Sequence, residues 1–322
     1  MKEIGGYFEL EKASGEEYYP ELYKINLGRT AMKLLVKVRG YKKVYLPHFL
    51  CDSVIAACEE AGCVTEYYSH RPDYSIDLPE RILADDEVLY LVNHYGQLTD
   101  EKILEYKKKY GNVIVDHTHD FFRHPLPGID TLYSVRKYFG VSDGAYVSTD
   151  AELGLEDYEQ DCSYNRMEHI LGRFDADAGT FYKKMLDNAS GYHGAPIMRM
   201  SKVTENLLKS IDYEKVKEAR NRNYAALKKY LPDTNDFNKI TPDGPFTYPF
   251  HNEQGVQLRK NLAARKIFVP TYWSNILSNR PWTAVEYAWA SNILPIPCDQ
   301  RYTEEDMKYV AEAVKEEAAK LG

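Results

Sequence analysis

Between residues 30 and 150 the chain keeps alternating short apolar runs with stretches of helical spacing, and this constrains its fold more than any other feature. TAMKLLVKVRGY (30–41) has helical spacing and ends at a glycine; KVYLP (43–47) is a β-rich run closed by proline; DSVIAACEEAG (52–62) is helical again. VTEYYS (64–69), EVLYLVNHYG (87–96), NVIVDHTHD (112–120), IDTLYSV (129–135) and GAYVSTD (144–150) read as strands with their exits. DEKILEYKKKYG (100–111) reads as a charged amphipathic helix between two of them. Runs that are apolar along their whole length predict strands buried on both faces. With helices between them, they predict an α/β fold whose mostly parallel sheet is covered on each side.

Beyond residue 200 the texture changes. Residues 203–231 predict one long amphipathic helix with room for a break. FTYPF then predicts a strand, 254–266 a helix, IFVPTYW (267–273) a strand, WTAVEYAWASN (282–292) a helix, NILPIP an extended run, and Thr303 the start of a terminal helix. The expectation is a large α/β domain over 1–200 and a smaller C-terminal α+β domain over 201–322, with the long helix as hinge.

Composition narrows the function. A net charge of -8 removes the basic surface that nucleic acid requires. No stretch is long and apolar enough for a bilayer, and MKEIGGYFELEKASGEEYY lacks the apolar core of a signal peptide. The five cysteines contain no C-x-x-C and read as buried thiols in a reducing compartment. These features predict a cytoplasmic protein with neither membrane nor nucleic acid as partner. His117, His119 and His124 with Asp116 and Asp120 hint at a metal, but no further ligand cluster accompanies them, so no metal is expected. GVSDG (140–144) matches G-x-S-x-G only in letters, since a β-like run rather than a helix follows it, so no nucleophile elbow is read there; G-x-G-x-x-G does not occur.

Parallel sheets place ligands at the carboxyl ends of their strands. The residues there are Asn93, His94 and Tyr95, then Asp116, His117 and His119, then Ser134, Arg136 and Lys137. Most lysines are solvated charges, and an Asp116–Lys137 ion pair weighs the same as a catalytic reading. The catalytic reading is pyridoxal phosphate, which needs a lysine, an acid for its ring nitrogen and donors for its phosphate. NLGRTAMKLL (26–35) offers a helix start for the phosphate through Gly28, Arg29 and Thr30, with Ser134 as a further donor. An ordinary N-cap at Thr30 is the alternative.

The ordered set GRTAMKLL, VIVDHTHDFF, YSVRKYFGVSDGAYV and NILPIPCDQRYTEEDM resembles the DegT/DnrJ/EryC1/StrS aminotransferase family over most of the chain. The resemblance implies fold type I of the pyridoxal-phosphate enzymes. It implies Lys137 as the Schiff-base lysine and acid/base, Asp116 at the pyridinium nitrogen and His119 near the phenolic oxygen. Gly28, Arg29, Thr30 and Ser134 would hold the phosphate, and Phe49 or His48 would stack on the ring. It further implies a homodimer that transfers an amino group from glutamate to a nucleotide-linked keto sugar, for surface polysaccharide or antibiotic sugars. Asn93, Tyr95, Arg199 and Trp273, with Arg220, are the substrate-side candidates. The family's approach to its lysine is longer, and two glycines follow; here SVRK and SDGA stand there, and Ile197 replaces a usual asparagine. Other pyridoxal-phosphate chemistry on a small amino or keto acid, and a binding protein without turnover, are the alternatives.

Overall fold

The computed structural model describes residues 4–278 and 284–322. In chain order its elements are β1 (Tyr23–Ile25), α1 (Gly28–Arg39), β2 (Lys43–Pro47), α2 (Asp52–Glu60), β3 (Val64–His70), β4 (Ile76–Asp77), β5 (Glu87–Val92), α3 (Asp100–Tyr110), β6 (Val113–Asp116), β7 (Asp130–Ser134) and β8 (Ala145–Ser148). They continue with α4 (Glu168–Asp175), α5 (Ala178–Ser190), α6 (Lys202–Leu208), α7 (Tyr213–Tyr230), β9 (Thr247–His251), α8 (Gly255–Ala264), α9 (Asn275–Ser278), α10 (Ala284–Asn292), β10 (Ile293–Pro297) and α11 (Glu304–Ala319).

Eight strands form one sheet in the order β1-β8-β7-β6-β5-β2-β3-β4. The run β7-β6-β5-β2-β3 is parallel; at the margins β8 and β4 run antiparallel to it, and β1 pairs antiparallel with β8. The order reverses direction at β2, with β3 on one side and β5 on the other, so the crevice for a ligand opens at the carboxyl edge there. Helix α1 buries Ala31, Met32, Leu34, Leu35 and Val36, each large side chain contributing roughly 2 kcal/mol. It ends at Gly40, whose φ of 72° lets its N–H reach back to the Lys37 and Val36 carbonyls. A second, two-stranded antiparallel sheet joins β9 to β10. Tyr224, Leu227, Leu258, Leu262, Met307 and Val314 from α7, α8 and α11 pack over it as a separate core.

Several expectations change. The long helix over 203–231 is two helices, because Ser201 and Asp212 each cap a start of their own through Thr204 N and Lys215 N. IFVPTYW is not a strand: Pro270 has no N–H for a ladder, Trp273 turns to a φ of 57°, and the stretch runs irregularly past the sheet edge. The helix expected over 282–292 is seen from Ala284, and its first two residues lie outside the described ones. Helices α4 and α5 were not foreseen. Cys162 is exposed rather than buried, in a loop before α4, and Cys51 is half-buried. Among the described residues no helix is long and apolar enough to cross a membrane.

Gly144, the single glycine of SDGA, sits at a φ of 118°. A Cβ there would collide with Val135 Cγ2 and approach Thr204 Cγ2 to 3.1 Å. Gly144→Ala is therefore expected to destabilise the protein by about 2–4 kcal/mol in urea denaturation, from backbone strain and overpacking together; an unchanged midpoint would show that this loop tolerates a side chain.

Candidate active site

Asp116 closes β6 and is buried. Tyr90, from neighbouring β5, donates its hydroxyl to Asp116 Oδ2 at 2.7 Å, and the Thr118 N–H donates to Oδ1 at 2.8 Å. Burial pushes the Asp116 carboxyl up from the ordinary range, and these donors with Lys137 pull it back. Lys137 ends the short turn Val135–Lys137 that follows β7. Its side chain is reached by solvent, at the floor of a cleft of about 420 Å³ whose walls include Tyr138, Phe246, Tyr272, Pro297 and Arg301. The crowding of those walls pushes its ammonium down from the ordinary value; Cys51 and Asp116 act in the opposite sense, and Arg136 adds to the depression. Water in the cleft screens part of that effect. Asp116 and Lys137 influence each other without being an ion pair, because Tyr90 and Thr118 hold the carboxylate.

His119 lies between two aromatic faces, Phe246 at 4.5 Å and 24° and Trp273 at 5.5 Å and 21°. Burial first, then Lys137 and His94, push its pKa well below the ordinary value, so the ring is neutral. Its Nδ1 is buried with no hydrogen-bond partner, which a ligand would answer. Gly28 opens α1 close to Ser134, three residues before Lys137: a Cβ on Gly28 would stand 3.8 Å from the serine Cβ. The first residues of α1, Gly28, Arg29 and Thr30, carry N–H groups that the helix leaves unpaired.

No family model and no curated protein matches the sequence. Solved structures do. DesV of S. venezuelae, crystallised in complex with a ketimine intermediate, superposes with a TM-score of 0.64 over 92% of this chain and 84% of its own, at 18% identity. The putative sugar aminotransferase Spr1654 from Streptococcus pneumoniae, in its PLP form, gives 0.64 over 94% and 88%, at 13% identity. A DegT DnrJ EryC1 StrS aminotransferase from Brucella abortus gives 0.60 over 91% and 85%, at 16% identity. The chain has the fold of these aminotransferases. The α/β architecture with a smaller C-terminal sheet is thus the fold type I arrangement expected from the sequence.

Within this aminotransferase fold the other expected residues divide. His48 stacks face to face on Tyr67 at 5.4 Å at the exit of β2. Phe49 is 1% exposed and enclosed by Trp273 and Trp289, so it offers no face to a cofactor ring. The Thr30 hydroxyl is fully buried, donating to Asn26 Oδ1 at 2.5 Å while accepting from Leu27 N, so only the Thr30 N–H can serve an anion. Asn93 is wholly buried and engaged by Asp120, His117 and the Leu98 N–H, which removes it from the substrate side. Tyr95 is buried, held at a φ of 54° against Phe237. Arg199 lies exposed beside β1, outside the cleft. Trp273 does reach the site, over His119. Arg220 is a clamp, not a ligand-binding arginine: buried, it donates to Gln300 Oε1 and to the Pro245, Phe246 and Tyr138 carbonyls while stacking on Tyr138 at 4.2 Å. It ties the residue after Lys137 to the C-terminal segment. Sequence reasoning missed Tyr90, Phe246 and Tyr272, which stand in apolar or aromatic runs and read as core.

The depressed ammonium has a chemical consequence. In competitive acetylation with peptide mass mapping, Lys137 is expected to titrate below the ordinary lysine value of 10.5, since crowding favours the neutral amine. A midpoint at or above 10.5 would mean the cleft does not act on it.

Proposed function

We propose that this protein is a pyridoxal-phosphate-dependent aminotransferase, and that it moves an amino group from glutamate to a keto sugar carried on a nucleotide. The observation that carries the reading is Lys137 on the floor of the cleft, its amine biased toward the neutral form, beside the held carboxylate of Asp116 and the open start of α1. The residues suit that cofactor: an acid at the sheet edge, an orphaned His119 Nδ1, and Gly28 against Ser134 where a phosphate needs backbone approach. The names of the structural neighbours, sugar aminotransferases among them, support the substrate class.

Bound pyridoxal phosphate supplies an electron sink for negative charge on the substrate carbon. The Lys137 amine would hold the cofactor, and its Nζ would also take and return a proton. Its neutral bias matters because only the amine, with its lone pair, can bond to the cofactor or take the proton; the ammonium then formed returns it. Asp116, whose carboxyl Tyr90 and Thr118 hold in place, would keep a proton on the ring nitrogen. His119, neutral, offers Nδ1 to the phenolic oxygen. The N–H groups of Gly28, Arg29 and Thr30 and the Ser134 hydroxyl take the phosphate. His48, at the exit of β2, is the remaining candidate for ring stacking. Trp273, Tyr272 and Phe246 form the aromatic wall that limits water on the reacting side.

A homodimer fits the surface. Helices α4 and α5 have no buried residue, and Leu171, Phe174, Tyr182 and Leu186 face outward, Phe174 being 91% exposed. Five unpaired cysteines support a reducing, cytoplasmic setting.

The protein loaded with pyridoxal phosphate and given L-glutamate in a single turnover should release about one equivalent of 2-oxoglutarate per site, with loss of visible absorbance; Lys137→Ala should release none. A visible band that glutamate leaves untouched would reject the aminotransferase reading.

A further inference from the structure

Arg136, between Ser134 and Lys137, is held as a purely structural arginine would not be. Its guanidinium lies over the ring of Tyr192, 4.4 Å from the centroid, and its Nε is buried without a hydrogen-bond partner. Arg29 reaches the same tyrosine from α1, donating Nη1 to the Tyr192 carbonyl at 3.0 Å. Arg166 is the third guanidinium here, 5.7 Å from the ring, but it is paired with Asp161 at 2.8 Å. Among the described residues no carboxylate forms an ion pair with Arg136 or Arg29. Asp143, the acid acting on Arg136, is engaged by the Ser201 N–H at 2.8 Å and by the Ser201 and Thr204 hydroxyls. His169 and Lys137, two further titratable neighbours of Arg136, supply no negative charge.

The two guanidiniums therefore converge with no carboxylate in ion-pair contact, since Glu60, which acts on Arg29, is itself paired with Lys33. They do so where the end of β7 meets the first turn of α1, since Gly28 and Ser134 are neighbours across that junction. Tyr192 is buried and donates its hydroxyl to the Ser142 carbonyl, so the surface that carries both arginines is fixed. Like charges held this close, partly out of water, are unfavourable until an anion joins them. A dianion at the helix start would balance both and accept paired, charge-assisted hydrogen bonds from the planar forks.

We propose that Arg136 is a phosphate-binding residue: with Arg29 and the first turn of α1 it takes the phosphate of the cofactor, and Tyr192 is the positioning residue that aims both guanidiniums. This rests on the pyridoxal-phosphate reading of the site and adds to it a residue whose chemistry is specific for the dianion. The ring and its aldehyde are left to Asp116, His119 and Lys137.

The test compares pyridoxal phosphate with pyridoxal, which lacks the phosphate, by visible-absorbance titration of the whole chain. Wild type, Arg136→Gln, Arg136→Lys and Tyr192→Leu are compared, with melting temperatures as the folding control and inorganic phosphate as competitor. Arg136→Gln should raise the Kd for pyridoxal phosphate about tenfold or more and leave that for pyridoxal unchanged. Arg136→Lys should recover part of the loss, because the charge remains but the fork does not. Tyr192→Leu should weaken pyridoxal phosphate selectively by a smaller factor, and inorganic phosphate should compete less effectively in Arg136→Gln than in wild type. An Arg136→Gln protein that keeps its affinity for pyridoxal phosphate would overturn the proposal; this includes the case where the arginine serves a phosphate on the substrate instead. Equal weakening of both compounds would overturn it too, by showing a general role in shaping the cleft. If Arg136→Gln does not fold, Arg136→Lys decides by the same selectivity. Wild type that binds neither compound would reject the cofactor reading itself, and the proposal with it.

Discussion

Parallel pairing of β6 with β5 and β7 places Val92 beside Asp116 and Asp116 beside Leu132, and every element of the site follows from that register. It brings the Tyr90 hydroxyl of one strand to the carboxylate of the next. It also delivers the turn Val135–Lys137 to the same edge as the Asp116 exit. A slip of one residue in β6 would turn the carboxylate to the other face and leave Tyr90 without its acceptor. The helices that cover the sheet hold this register by burying apolar side chains, so the chemistry at the edge is rigid because the core behind it is close-packed.

Burial acts on the ionisable groups in opposite directions. It raises Asp116 and lowers Lys137 and His119. Left alone, that trend would neutralise the acid as well as the two bases. Two donors oppose it at Asp116, while His119 has no partner at Nδ1 and Lys137 feels only the charges of Cys51, Asp116 and Arg136. The site thus sets a carboxyl group held by two donors beside an amine shifted toward its neutral form and a neutral imidazole, the groups that the proposed acid–base work calls for. The C-terminal segment completes the site: Phe246, Tyr272 and Trp273 enclose His119, and Arg220 fastens Tyr138 to the strands behind them.

Much of this was legible in the sequence, and what was not has definite causes. The strands and helices of the parallel sheet follow from apolar runs and glycine stops, and Asp116, His119 and Lys137 stand at strand exits, where the rule for parallel sheets looks. Thr30, Asn93 and Phe49 misled for one shared reason: each stands beside a strand or helix end, and only the packing shows the Thr30 hydroxyl closing a helix start, Asn93 joining two strand exits and Phe49 filling an aromatic core. Tyr90 was hidden in an apolar run because its partner lies on another strand. Arg136 and Tyr192 meet across more than fifty residues of chain, through a segment whose helices carry no strong sequence signal. The strand expected over 267–273 failed on one proline and one left-handed tryptophan, local facts that outweigh β propensity.

The central claim is that Lys137, and no other lysine, is the residue that holds pyridoxal phosphate. The direct measurement is borohydride reduction of the protein incubated with the cofactor, followed by digestion and mass mapping of the lysines. The account predicts one pyridoxyl group per chain on the peptide containing Lys137. A label on other lysines with Lys137 unmodified, or no stable label at all, would contradict it.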